Sequence, residues 1–285
     1  MGHYPDSQQI CERSGLPGEL EQREIRRMVL RHVAPGIELI VERMTFEAVR
    51  VCWCGAELER WGNFGLYRRC VRCGCKVVEF RPIWASLELL YREYYWREYQ
   101  AAYHCPPVEE RYQRDMTDRI PQYLEWMQQL CPPPARLLEI GCGNGRLLRE
   151  ASLARYDGSA SEMDPRVAAW VREKTGLPVH VGTFPPLSEP PFELIVAIDV
   201  LEHVPDQRAF VREIRARLAP QVKVLLHCPV IDSDEAARSS PDVFNPLSHL
   251  WVHTTESLSL LWREGGLDLK LMGRLFDMPC WGLQA

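Results

Sequence analysis

An α/β fold is predicted: a parallel sheet covered by helices on both faces, preceded by a small cysteine-bearing domain. Three observations predict it. From residue 136 onward, short apolar runs alternate with amphipathic helical patterns, as in a sheet whose strands are buried on both sides. The first of these runs, Leu137-Leu138-Glu139-Ile140, ends in three glycines at alternate positions, Gly141, Gly143 and Gly145. Five of the 11 cysteines fall between Cys52 and Cys75.

The whole chain sets bounds on these readings. At 285 residues it has room for one large domain and an appendage. Charged residues are 26% and the formal net charge is −5, which gives no global field for nucleic acid or membrane. No apolar run approaches the ~18 residues of a membrane span, and the first residues lack the basic-then-apolar order of a signal peptide. Clustered rather than dispersed cysteines fit one metal site in a cytoplasmic chain better than a disulfide framework.

Taken in order, residues 1–17 carry no periodic pattern, and Gly18 to Val33 reads as an amphipathic helix with a solvated, arginine-rich face. A helical extension is therefore expected over 1–45. The next segment, 46–82, reads as a zinc ribbon. Cys52-Trp-Cys54-Gly55 and Cys70-Val-Arg-Cys73-Gly74-Cys75 resemble two knuckles, tight turns that aim paired thiolates at one tetrahedral ion. The ligands expected are Cys52, Cys54, Cys70 and Cys73, with Cys75 a competitor for the last place. Four thiolates leave no position open for water, so the zinc is expected to be structural. The alternating Phe46–Val51 and Lys76–Phe80 look like the ribbon's strands.

Residues 83–115 form an aromatic helical linker, with Tyr91, Tyr94, Tyr95, Trp96 and Tyr99 on it. These rings either pack on the neighbouring domain or close over a cationic ligand, where cation–π attraction would serve. A second helical pattern spans Val108 to Leu130, and Pro132-Pro133-Pro134 stops it before the first strand. The main domain, 116–285, is then read as strands at 136–141, 156–162, Val179–Val181, 192–199, 223–228 and 267–276. Helices lie between them, and a long connection runs from 230 to 253.

The glycine turn joins a strand to a helix, the geometry in which a ligand meets bare backbone. A carboxylate two residues before its first glycine, Glu139, suits a ligand with an amine or hydroxyls and repels a pyrophosphate. Glu162 lies 17 residues past Gly145 at the end of the second strand, where a carboxylate accepts both hydroxyls of a ribose. Arg146 stands where a dinucleotide fingerprint needs glycine, and no Gly-Lys-Ser/Thr follows.

Leu137 to Arg146, Glu162 and the run Phe192-Glu-Leu-Ile-Val-Ala-Ile-Asp-Val-Leu-Glu-His-Val-Pro205 resemble the class I S-adenosylmethionine-dependent methyltransferases, in their small-molecule (Leu-Glu-His) branch. With the cysteine knuckles and the aromatic linker, the chain is similar over about residues 46 to 275 to members that carry an N-terminal zinc ribbon. The resemblance implies a Rossmann-like class I sheet flanked by helices, S-adenosyl-L-methionine as methyl donor, structural zinc and a small-molecule acceptor such as a sugar or natural product. It also implies that Gly141, Cys142, Gly143 and Gly145 border the methionine part, with Glu139 on its amino side. Glu162 would hold the ribose, Met163 the adenine face, and Asp199, Val200 and Leu201 would end strand four beside the reacting methyl. Thr183 and Phe184 fall where the family has an acidic and an apolar residue near adenine, Thr183 being a departure.

If the acceptor must lose a proton, His249 and His203 are the candidate bases. His249 matches a family segment that usually reads Glu-His, but Ser248 replaces the glutamate. Asp277 to Ala285, with Pro279 and Gly282, reads as a truncated or irregular version of the family's last strand. Two other functions stay open: an RNA methyltransferase with the ribbon as RNA binder, and a non-catalytic protein that kept the cofactor fold. The first lacks a basic stripe and a matching acceptor motif after strand four.

Overall fold

The computed structural model describes residues 16–62, 64–275 and 278–284; the expected loose terminus falls largely outside them. Helix α1 (Glu19–Leu30) buries Ile25 and Val29, and α2 (Glu38–Glu42) buries Ile40 and Val41. The buried amide of Gln22 on α1 bonds both the N–H and the C=O of Phe46, at 3.0 and 2.7 Å. That pairing ties the extension to β1 (Phe46–Ala48).

The cysteine segment holds β2 (Leu58–Arg60), β3 (Tyr67–Cys70), β4 (Lys76–Val78) and β5 (Phe80–Pro82). The two segments expected to flank the knuckles meet only at their ends, where Ala48 is opposite Phe80 and Val49 N–H bonds the Glu79 carbonyl at 2.8 Å. β1 pairs antiparallel with β5, whereas β4 pairs with β3 and β3 with β2. The turn from Cys70 to Cys75 is tight enough for Cys70 N–H to bond the Cys75 carbonyl at 2.8 Å. It therefore reverses the chain from β3 directly into β4.

The aromatic linker begins as α3 (Trp84–Leu89) and widens into π-helix over Leu90–Tyr99. The helical pattern after it is broken in two, α4 (Val108–Asp118) and α5 (Ile120–Leu130), with Arg119 at φ −137° and ψ −26°, off the helical conformation, between them. Pro121 explains the restart, since its missing N–H costs nothing in a first helical turn.

The main sheet then runs β6 (Arg136–Ile140), α6 (Arg146–Leu153), β7 (Asp157–Glu162), α7 (Pro165–Thr175), β8 (Val179–Val181), β9 (Phe192–Ile198), α8 (Gln207–Ala216) and β10 (Leu218–His227). The long connection is not structureless: it contains α9 (Asp234–Ser239) and β11 (Trp251–Val252), and leads into α10 (Thr255–Glu264), capped by Thr254. The chain closes with β12 (Asp268–Leu275) and β13 (Met278–Gln284). Strand order is β12-β13-β10-β9-β6-β7-β8. β8, β7, β6, β9 and β10 are parallel, and β13 runs antiparallel between β10 and β12.

Of the two alternatives expected for the last strand, truncation fails, while its ladder with β12 is irregular, with a register shift between Leu271 and Gly273. Pro279 precedes the five residues that pair with β10, so a missing donor on that side is harmless. A Cβ on Gly282 would stand 2.5 Å from Leu130 and 2.9 Å from Met272. The glycine lets α5 lie against the sheet and does not break the strand. A second unexpected pairing joins β11 to β4, Trp251 opposite Val77 and Val252 opposite Lys76. Among the described residues no helix is long and apolar enough to cross a membrane.

Gly145 caps α6 at φ +71°, and a Cβ there would meet Val171 of α7 at 2.4 Å. Gly145→Ala combines backbone strain with overpacking, and urea unfolding should show a loss of roughly 1–3 kcal/mol. Stability equal to the parent would contradict this packing.

Candidate functional site

A cavity of about 660 Å³ opens at the carboxyl ends of β6, β7 and β9 and is roofed by the aromatic linker. This is where parallel sheets bind ligands, at the point where strand order reverses, and the size is that of a small-molecule site. Of the residues singled out in the sequence, Glu139, Gly141, Cys142, Gly143, Glu162, Met163, Thr183, Asp199, Val200, His203 and His249 line it. Gly145, Phe184 and Leu201 do not. Gly145 is covered by Val171. Phe184 packs on Phe210 at 5.5 Å and under the Arg217 guanidinium at 4.8 Å. Leu201 is fully buried behind the wall.

At one end stands the glycine turn. Gly141 and Gly143 take φ of +65° and +53°. A Cβ on Gly141 would meet Val200 at 2.9 Å, and one on Gly143 would meet the Trp96 ring at 3.0 Å. Bare backbone is thus pressed between the β9 loop and the linker. Both carboxyl oxygens of Glu162 accept backbone N–H bonds, from Gly143 and Asp164, each at 3.0 Å. Those bonds favour ionisation, but burial outweighs them and pushes the group up to about 7. Glu139 is 5% exposed, and its Oε2 is buried with no partner. Burial pushes this carboxyl up to about 8. A buried carboxyl oxygen without a donor is costly unless a ligand supplies one. The pair fits a ligand that brings an ammonium to Glu139 and hydroxyls to the remaining lone pairs of Glu162.

The middle of the cavity holds an ion network that the sequence did not reveal. Asp199, at φ +53° just past β9, accepts from Arg119 at 3.0 Å and bonds His227 Nδ1 at 2.9 Å. Arg119 also stands 3.4 Å from Asp115, which accepts from the side chain of Asn144 in the glycine turn. Tyr123 lies 3.2 Å from His227 Nδ1. Burial alone would raise Asp199, but the His227 hydrogen bond and the charges of His227 and Arg119 hold it well below the usual carboxylate range.

At the far end stand Glu202, His203 and His249. Glu202 is 1% exposed and its Oε2 has no partner; burial and then the neighbouring Asp199 hold its proton well above the usual range. His203 Nδ1 meets the Ser248 carbonyl and His249 Nδ1 the Val243 carbonyl, each at 2.7 Å. A carbonyl only accepts, so each Nδ1 carries the hydrogen and each Nε2 keeps a lone pair. Burial, with His249 nearby, takes His203 down to about 3, and burial also lowers His249. Two neutral imidazoles therefore face this end of the cavity.

Outside the cavity, the sulfurs of Cys52, Cys54, Cys70 and Cys73 lie within 4.8 Å of one another, with Cys52–Cys73 at 3.7 Å and Cys54–Cys70 at 3.5 Å. Ligands bound about 2.3 Å from one tetrahedral zinc would stand about 3.8 Å apart, so the donor set is compatible with that ion. Cys75 lies outside this group of four, with its thiol 3.5 Å from the Val252 carbonyl.

The family described as "Methyltransferase domain" matches residues 108–270. A ubiquinone biosynthesis O-methyltransferase of Paramagnetospirillum magneticum (strain ATCC 700264 / AMB-1) is 34% identical over 90 residues, 30% of this chain. Its counterpart from Methylobacterium sp. (strain 4-46) is 36% identical over 94 residues. The matched part spans only 36% of the length of either relative. Among solved structures, an O-methyltransferase family protein from Burkholderia thailandensis superposes with a TM-score of 0.52 at 13% identity, covering 66% of this chain and 59% of that one. That likeness is one of fold.

The depressed Asp199 gives a pH dependence with a definite sign. Its stabilisation is present above the unfolded carboxyl value near pH 4 and is lost as pH falls through its lower native value. Arg119→Met removes one of the charges that holds it down. Urea titrations should show the variant less stable than the parent at pH 7, with the gap narrowing between about pH 5 and pH 2. A gap independent of pH would mean that Arg119 acts by packing alone.

Proposed function

The chain belongs to the methyltransferase-domain family, and from that membership we propose that it transfers a methyl group from S-adenosylmethionine to a small-molecule acceptor. The observation that carries the reading is one cavity with two unlike ends. Glu139, with an unpartnered buried oxygen, and Glu162 stand beside the bare glycine turn, and Glu202, His203 and His249 stand opposite.

S-adenosylmethionine, when bound, supplies a methyl already activated by the sulfonium charge. The chain's own work is mainly orientation, an effect that can reach roughly 7–11 kcal/mol. Glu139 receives an ammonium, Glu162 holds ribose hydroxyls, and Met163 and Thr183 flank the base. Tyr91, Tyr95 and Trp96 wall the cavity, where they exclude water and favour a cation by their ring faces. The Nε2 lone pairs of His203 and His249 face the acceptor, and they, or a group they hold, account for its proton. A small acceptor agrees with the cavity's size and with the names of the relatives. Transfer to RNA is disfavoured by the net charge of −5. Residues 46–82 serve in this reading as a zinc-held scaffold module and 83–115 as the roof, ahead of a catalytic domain from 116; a cytoplasmic location keeps the thiols reduced.

Calorimetric titration with S-adenosylmethionine and with S-adenosylhomocysteine tests the reading, and a parent protein that binds neither would sink it. Glu162→Ala should weaken binding by roughly 1.5–3 kcal/mol, the range for hydrogen bonds to a charged group. Unchanged affinity would refute the ribose role.

Zinc at the four cysteines should appear as one ion per chain in elemental analysis. Its removal by a chelator should lower the unfolding temperature and raise protease sensitivity of both the knuckles and residues 245–255, because β11 and β4 share a sheet. Retention of the parent melting curve after metal loss would overturn the scaffold role.

A further inference from the structure

Glu202, His203 and His249 offer one carboxylate oxygen and two ring nitrogens, all within 4.8 Å of one another. Two features separate this trio from an ordinary set of buried polar side chains. Each histidine donates Nδ1–H to a main-chain carbonyl, the arrangement that fixes a metal-binding imidazole with its other nitrogen free. The carboxylate is almost fully buried, yet its Oε2 has no donor within reach, while Oε1 stands 3.9 Å from His203 Nε2. Neither histidine supplies a proton to that oxygen, since both nitrogens facing it are lone pairs. A buried acid with an unpartnered oxygen beside two imidazole lone pairs offers three donor atoms to one cation, and gives up its proton to become a charged ligand when that cation binds.

We propose that Glu202, His203 and His249 form a second metal site, separate from the four cysteines, which binds a divalent cation at the acceptor end of the cavity. The inference rests on the methyl-transfer reading for its chemistry but not for its existence. One oxygen and two imidazole nitrogens suit a borderline first-row ion and leave coordination positions open. Bonds of about 2.1 Å place neighbouring ligands about 3 Å apart, so side-chain adjustments would draw the trio together around the ion. The backbone would hold its place: the Glu202 carbonyl accepts from Leu250 N–H at 2.8 Å, and the Tyr67 hydroxyl donates to the His249 carbonyl.

The ligand class that follows is an acceptor with a hydroxyl, or adjacent hydroxyls, able to reach an open position. Held there, the hydroxyl is made more acidic and gives its proton to solvent water. The oxygen then attacks the sulfonium methyl; a C–O bond forms, the C–S bond breaks, and S-adenosylhomocysteine leaves as the neutral thioether. No oxidant or reductant is needed.

The test uses full-length protein with zinc already at the cysteines, whose thiolates retain zinc over manganese. Free Mn(II) is read by its electron paramagnetic resonance signal during titration, with no turnover required. The parent should take up one Mn(II) per chain beyond the zinc, and Glu202→Gln, His203→Ala and His249→Ala should each weaken uptake by roughly tenfold or more. Binding of S-adenosylhomocysteine, measured on the same samples, reports whether each variant is folded, and near-isosteric Glu202→Gln decides if the alanine variants are not. No uptake by the parent of Mn(II) or Co(II) beyond the zinc, or uptake that all three substitutions leave unchanged, overturns the site and returns the proton to the histidines. A parent that binds Mn(II) but not S-adenosylhomocysteine would sink the cofactor reading and leave the cation site standing.

Discussion

The structure depends on one short pairing, two residues long, between β11 and β4. Through it the sheet of the cysteine segment is completed by a strand from the far half of the chain. Neighbouring bonds make the joint stiff. Thr254 Oγ1 donates to the Cys73 carbonyl at 2.9 Å while it accepts from Ser257 N–H at the start of α10. The Lys76 ammonium reaches the Ile231 carbonyl and lies 5.4 Å over the Trp61 ring. A segment this small cannot bury enough apolar surface to fold by itself. Its four gathered thiols are suited to an ion worth on the order of 10 kcal/mol, and its aromatic residues share one continuous core with the main sheet. The loop that carries His249 is therefore held from the cysteine side, by Tyr67 and β4, as well as from Glu202.

Electrostatics inside the cavity follow from which carboxylates have partners. Glu139, Glu162 and Asp199 sit at the ends of three adjacent parallel strands. Asp199 has a guanidinium and an imidazole and stays ionised. Glu139 has neither, and Glu162 has only main-chain donors, so burial drives both upward. Environments that push neighbouring acids apart in this way separate their roles. One is a fixed charge that anchors the β9 and β10 ends to α5. The others become fully charged when a cation or hydroxyl donor arrives.

What could be read from the sequence was local. Strand, turn and helix N-terminus lie within Arg136 to Arg146, so Glu139 and the glycines declare themselves without any tertiary knowledge. Even there the three glycines differ in purpose, since Gly145 makes room for Val171 rather than for a ligand. Arg119, His227 and Tyr123 were invisible because Asp199 meets them across 80 and 28 positions of sequence or through a third residue. No local pattern marks a charge pair of that range. β11 is two residues long, too short to show a period, and its partner is fixed by the knuckle turn. β13 could be read as truncated because Gly282 in a strand has two opposite meanings, a break or a close approach. Only the position of Leu130 decides between them.

The roof of the cavity shows the same limit in another form. An α-helical reading of Trp84 to Tyr103 would spread Tyr91, Tyr95 and Trp96 around the axis and send one of the last two away from the site. Over Leu90–Tyr99 the helix is π-wound, so each residue turns through a smaller angle. The consecutive Tyr95 and Trp96 consequently both reach the cavity, with their rings edge to face at 5.7 Å. Behind them Tyr91, Tyr95, Tyr99 and Tyr103 form a ladder with ring spacings of 4.9, 5.4 and 5.1 Å. Tyr99 anchors that ladder through Asn245 at 2.7 Å and Ser248 at 3.0 Å, next to the carbonyl that holds His203. Ser248 thus serves to fasten the roof to the acceptor end. Widened helical turns recur where side chains must be re-aimed at a site. Here the widening presses Trp96 onto the glycine turn while the same helix is bonded to the His249 loop, so one element constrains both ends of the cavity.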